Sequence, residues 1–191
     1  MEILSRDFIN MIKNGETIPD GTSVKGMVYL LDLPISYLPN NFTVNGDLYL
    51  RKTDIKSIPE NLTVNGSFYA YDIPTDKIPD NLVVKRHILL SNMPILSVGN
   101  FTVGGTIWLD SLYQLNSIAD NLTVNGNLIL SGLNSLTSLP NNLHIKESLF
   151  AYECPISSIP DDINIEGNLN LFHTRVKSIP ETAYIKGDVC I

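Results

Sequence analysis

Few residues in this chain have the types that catalysis uses. Histidine stands at His87, His144 and His173, and cysteine at Cys154 and Cys190. A nucleophile–base pair or a metal centre needs several such groups to converge on one point. Against a valine or isoleucine that recurs along the chain, His87 lies three residues after its anchor (Val84), His144 one before (Ile145) and His173 eight after (Ile165). Three phases of a repeat are three different places on its surface, so no shared site follows. The cysteines show no CxxC spacing and are too few for a disulfide framework. Cys154 falls on an inward phase, where a thiol behaves as a small hydrophobe. Glycines come one per unit rather than in a phosphate-cradling cluster. These spacings point away from an enzyme and call for no metal and no cofactor.

Two series of side chains do keep phase. Four residues before the anchor stand Asp20, Glu60, Asp80, Asp120, Asp161 and Glu181. Like charges stacked at strand spacing repel mildly. The series reads as solvated turn residues after proline, or else as an acidic stripe that mimics nucleic acid or docks on a basic partner. Five residues after the anchor stand Tyr29, Tyr49, Tyr69, Leu89, Trp108, Ile129 and Phe150, then Asn170 and Cys190. Two residues further, on the same expected face, come Leu31, Arg51, Tyr71, Ser91, Asp110, Ser131, Tyr152 and Phe172. An unbroken outward row of such size exceeds the few hundred Å² of apolar surface that monomers usually leave open. Tyr and Trp are also the residues that anchor interfaces, although aromatic rows stabilise sheets by stacking as well. The candidate partner-binding residues are Tyr29, Tyr49, Tyr69, Tyr71, Leu89, Trp108, Ile129, Phe150, Tyr152 and Phe172.

What must position these rows is a repeat. Residues 40–46 read NNFTVNG, residues 58–66 IPENLTVNG and residues 118–126 IADNLTVNG. The anchors are Val24, Val44, Val64, Val84, Val103, Val124, Ile145, Ile165 and Ile185, at steps of 19 to 21 residues. Proline stands five before the anchor at Pro19, Pro39, Pro59, Pro79, Pro140, Pro160 and Pro180. Glycine stands two after it at Gly26, Gly46, Gly66, Gly105, Gly126, Gly167 and Gly187. The unit is L-x-V-x-G-x-L-x-L-x-x-T-x-I-x-S-I-P-x-N. Its L-x-V and L-x-L pieces alternate with period two, the mark of strands with one buried face, and Gly and Pro-x-Asn supply corners.

No single unit of this kind can bury its apolar face, so neighbours must stack. The expected fold is all-β: one parallel β-solenoid of about nine coils over residues 18–191, with residues 1–17 as an N-terminal capping helix. Leu4, Phe8 and Ile12, followed by Gly15, carry the helical spacing of that cap. The asparagine before L-x-V (Asn41, Asn61, Asn81, Asn100, Asn121 and Asn142) is expected to take a left-handed turn or to bond its neighbours in a ladder. The fifth unit loses its proline and one residue, and the sixth and seventh each gain a residue at a corner, where insertions are tolerated best. The last strand, around Val189, is expected to present an edge that invites pairing, in a homodimer or with further chain.

The stretch LNLFHTRVKSIP at residues 169–180 resembles the leucine-rich repeat, most of all the short twenty-residue type with an LP step found in bacterial effectors. The asparagine usual in that family aligns with Leu33, Thr53, Ile73, Met93, Leu112, Leu133, Cys154 and Thr174, none of them Asn, and L-x-V-x-G reads as a second strand. The repeats are most similar to L-T-V-x-G-x-L-x-L-x-x-T units of phage and bacterial proteins. The resemblance covers nearly all of residues 18–191 and implies partner binding.

Charge narrows the partner. Thirteen Lys and Arg against twenty Asp and Glu supply no cationic cluster for a phosphate backbone, so direct nucleic-acid contact is not expected. The opening MEILSRDFINMIKNG lacks the features of a secretory signal, and no apolar run reaches membrane-spanning length. A cytoplasmic protein away from membranes is expected, its Asn-x-Thr sequons by-products of the repeat. The leading expectation is a non-enzymatic solenoid that binds another protein, with the phage resemblance suggesting a bacterial host factor that it inhibits. The alternatives are an assembly protein that self-associates through its last coil and an acidic mimic.

Overall fold

Each L-x-V and each L-x-L segment is a strand, and each pairs in parallel with its counterpart one coil away. The computed structural model, which describes all of residues 1–191, is a parallel β-solenoid of nine coils with a single short helix. A coil has three sides. The first carries β2 (Ser23–Lys25) and its counterparts Thr43–Asn45, Thr63–Val64, Val83–Val84 and Thr102–Val103, continued in a separate four-stranded sheet by Thr123–Val124 and onward. The second carries β3 (Val28–Leu31) and runs unbroken through nine strands to Val189–Cys190. The third side, T-x-I-x-S-I-P, is extended but pairs as strand only between Ser97–Val98 and Ser117–Ile118.

The three sides enclose one continuous core. Val44 and Phe42 enter it from the first side, Leu48 and Leu50 from the second, Ile55 and Ile58 from the third, and all are buried. Register is in phase throughout: Val24 stands on Val44, Val44 on Val64, and Leu48 on Phe68. A slip by one residue would turn every inward side chain out, so the alternation alone fixes the stacking.

The cap has one more element than the helical spacing predicts. β1 (Glu2–Leu4) pairs in parallel with β2, so the chain opens with the first side of an extra coil. Helix α1 (Ser5–Lys13) then replaces the second side and covers the open core. Phe8 is fully buried and stacks on Phe42 at 5.1 Å between ring centroids, and Ile12 is half-buried. Leu4 lies before the helix and is exposed, because it is the last strand residue rather than part of the apolar stripe.

The corners have two different physical causes. At the first-to-second corner a Cβ on Gly46 would lie 2.6 Å from the backbone carbon of Gly26, and one on Gly66 2.7 Å from that of Gly46. Successive backbones approach closely at these glycines, which fill the position in seven of nine coils, with Arg86 and Glu147 in the other two. At the third-to-first corner Asn41, Asn61, Asn121 and Asn142 adopt the left-handed conformation (φ 51–63°), which asparagine tolerates best after glycine. Their side chains also bond one another: Asn61 Nδ2 donates to Asn41 Oδ1 at 2.9 Å, Asn81 Nδ2 to Asn61 Oδ1 at 2.8 Å and Asn142 Nδ2 to Asn121 Oδ1 at 3.1 Å. Both expected roles of this asparagine therefore occur together.

Insertions stay local. The extra residues of the sixth and seventh units close tight turns, Leu115 N–H to Leu112 C=O at 3.0 Å and Leu136 N–H to Leu133 C=O at 3.1 Å. The first-side sheet divides between Val103 and Val124, at the step of 21 residues that contains the first insertion.

Candidate functional site

The second side places the outward row where alternation requires it. In each four-residue strand the first and third residues are buried, so the second and fourth face out. Tyr29, Tyr49, Tyr69, Leu89, Trp108, Ile129 and Phe150 therefore lie in line, strand upon strand, each in register with the next. The three tyrosines stack, with ring centroids 4.6 Å apart for Tyr29–Tyr49 and 4.5 Å for Tyr49–Tyr69. That distance is the strand spacing itself.

The stacking has a consequence for exposure. Tyr29 at the end of the row is 46 % exposed and Trp108, between Leu89 and Ile129, is 41 % exposed. Tyr49, Tyr69, Leu89, Ile129 and Phe150 are half-buried by their neighbours in the row. The second row behaves similarly: Tyr71 and Tyr152 are half-buried, while Phe172 is exposed and meets His173 edge-on at 4.0 Å. Phe150 and Tyr152, on one strand, lie 6.1 Å apart. All ten candidate residues share one face, although Phe172 lies just beyond the end of its strand, Leu169–Asn170.

Electrostatics on this face follow from the packing. Desolvation, followed by the neighbouring Tyr69 and then Asp47 and Tyr29, raises the Tyr49 hydroxyl above the ordinary phenol range. Burial, then Tyr69, does the same for Tyr71. Both rings stay neutral well into alkaline pH. Arg51 stands in register with Tyr71 on the neighbouring strand, and Asp110 accepts a hydrogen bond from Ser91 Oγ at 2.9 Å.

The face is bordered by two ladders that the residue pattern did not disclose. Along one border, from the second coil onward, a side chain in each coil accepts the backbone N–H of the equivalent residue in the next. Ser67 N–H goes to Asp47 Oδ1 (2.7 Å), His87 N–H to Ser67 Oγ (3.4 Å), Thr106 N–H to His87 Nδ1 (3.0 Å) and Asn127 N–H to Thr106 Oγ1 (3.3 Å). Ser148, Asn168 and Asp188 continue it onto Asn127, Ser148 and Asn168, each at 2.9 Å. The requirement is only an acceptor within reach, and Asp, Ser, His, Thr and Asn all meet it. Identity therefore varies while the function is constant, which hides the row from a repeat search. Along the other border, Asp32, Lys52, Asp72, Asn92, Ser111, Glu153 and His173 all take positive φ of 47–56°. Left-handed Lys, Glu and His give no sequence signal, since glycine and asparagine are the residues that announce this conformation.

The three histidines remain apart from one another. His87 sits in the acceptor ladder, His144 Nε2 pairs with Glu166 Oε1 at 3.0 Å on the first side, and His173 meets Phe172 edge-on. Cys154 is buried, its Sγ donating to Tyr152 C=O at 3.2 Å, and desolvation is the main cause that pushes its thiol above the ordinary range. A hollow of about 390 Å³ beside it is lined by Asn134, Glu153, Pro155, His173 and Arg175. Among the acidic series, Asp20 Oδ1 and Asp120 Oδ1 each accept a backbone N–H of the following coil, from Asn40 and Asn141, at 2.8 Å. Those carboxylates hold the third-to-first corner together.

The sequence matches no protein-family model, no curated protein and no solved structure.

Proposed function

We propose that the chain is a non-enzymatic binding protein that takes a protein partner on the outer face of its nine-stranded sheet. The observation that carries this reading is the row from Tyr29 to Phe150: seven in-register apolar or aromatic side chains, unbroken by charge, on a surface no other part of the chain covers. Large, rigid rings with few rotatable bonds lose little entropy on docking, which is why Tyr and Trp concentrate binding energy. Trp108 and Tyr29 are its most exposed members and are its anchors. The likeness of the repeats to those of phage and bacterial proteins favours a bacterial cytoplasmic factor, of defence or regulation, as the partner that is bound and inhibited. An acidic-mimic role is less favoured, because Asp20 and Asp120 are already engaged in joining coils.

The reading is tested with the variant Tyr49→Ser/Tyr69→Ser/Trp108→Ser. All three side chains point outward, so circular dichroism and the urea midpoint check that folding survives. A partner captured from bacterial lysate by the native chain is identified, purified and titrated against both proteins. Loss of about 2 kcal/mol or more, some thirtyfold in Kd, is expected of a hot-spot triple. Equal affinity for a folded variant sinks the reading. Light scattering over a concentration series separates the self-association alternative, since a dimer that persists in the triple variant and dissociates on Val189→Pro would assign the last coil as the contact.

A further inference from the structure

One acceptor in the bordering ladder changes with pH. Carboxylate, hydroxyl and amide oxygens accept an N–H throughout the range from about pH 5 to 8, whereas an imidazole nitrogen accepts only while the ring is neutral. His87 Nδ1 accepts the Thr106 N–H at 3.0 Å, which places the ring proton on Nε2. We propose that His87 makes the joint between the fourth and fifth coils acid-labile: a second proton on the ring removes the acceptor of the Thr106 N–H and loosens the start of the strand Ile107–Asp110, which carries Trp108.

No carboxylate lies within ion-pairing distance of the ring, which is exposed to solvent. On its own coil Lys85 and Arg86 precede it, both exposed and cationic. The preceding coil presents Ser67, whose Oγ takes the His87 N–H. The following coil presents Gly104, Gly105 and Thr106, none of them charged, and the ring lies so close over Gly105 that a Cβ there would be 2.7 Å from Nδ1. The nearest carboxylates along the ladder and the sheet are committed, Asp47 to Ser67 N–H and Asp110 to Ser91 Oγ. His144 is the opposite case: Glu166 lies 3.0 Å from its Nε2, so protonation strengthens that contact.

The joint is also where the repeat is least regular. The step from Val84 to Val103 is the shortest, 19 residues, and Val98–Gly99 stands where all other units but the sixth (Ile118–Ala119) place Ile-Pro or Leu-Pro. The first-side sheet ends one coil later, at Thr102–Val103. The strand Ile107–Asp110 itself is paired along its whole length with Ile88–Ser91 and Leu128–Ser131, so the loosening is confined to its start at Thr106.

Amide hydrogen exchange of the full chain, resolved by residue and corrected for the intrinsic pH dependence of exchange, reads the device directly. Between pH 7.5 and pH 5, protection of the Thr106 amide should fall about three- to tenfold, the weight of one hydrogen bond. The Ser148 amide, bonded to the non-titrating Asn127 Oδ1, should not follow it. In His87→Asn the acceptor is an amide oxygen, as at Asn127 and Asn168, and Thr106 protection should stay level across the range. In His87→Ala it should be low at both pH values. Unchanged Thr106 protection in the native chain, or an equal fall in His87→Asn, overturns the proposal.

Discussion

At the scale of single residues, two glycines separate space from conformation. A Cβ on Gly66 would meet Gly46 carbon and Asp47 nitrogen, both backbone, at 2.7 Å, while one on Gly132 would find nothing nearer than 3.8 Å but must sit at φ +61°. Backbone cannot swing aside as a side chain does. Gly66→Ala is therefore expected to cost about 2–3 kcal/mol through overpacking, and Gly132→Ala about 1 kcal/mol through the left-handed penalty. Urea unfolding of the two variants checks this, and a Gly66→Ala cost near zero would show that the corner backbones move apart to admit a Cβ. The glycine column was legible in the sequence because one residue type fills it in seven of nine coils, Arg86 and Glu147 being the exceptions. The acceptor ladder at Asp47, Ser67, His87 and Thr106 was not, because several types satisfy the same bond.

At the scale of elements, the strands were legible and the cap only in part. Period-two alternation leaves no freedom about which residues of Leu48–Arg51 face the core. The strand Glu2–Leu4 carries too short a pattern to be told from the start of the helix, and only its pairing with Ser23–Lys25 defines it. The aromatic face behaves as one element. Tyr49 and Tyr71 hold their protons more tightly in the fold than free phenols do, with desolvation as the main cause. A group raised in this way contributes stability below the ordinary phenol value of about 10 and loses it as pH rises through the raised value. The urea midpoint of the native chain should thus fall more steeply above about pH 10 than that of Tyr49→Phe/Tyr71→Phe. Parallel alkaline curves would mean that the stacked rings ionise as if free.

At the scale of the whole molecule, successive coils offer much the same fittings: a glycine backbone in seven of nine, a side-chain acceptor from Asp47 onward and an outward apolar or aromatic side chain from Tyr29 to Phe150. Coil length is therefore a unit of exchange rather than a fixed design. Removing residues 67–86, one complete turn, joins Gly66 to His87 and brings the His87 N–H to Asp47 Oδ1 in place of the Ser67 N–H it now serves. Leu89 then stands on Tyr49, and Ile88 on Leu48, with apolar side chains meeting in phase. The shortened chain is expected to fold with one strand fewer, checked by circular dichroism and by a urea transition that stays cooperative. Chains of this kind can lengthen or contract by whole turns without redesigning a joint, so the span of the ring-bearing surface is open to adjustment by duplication and loss, independently of the residues that compose it.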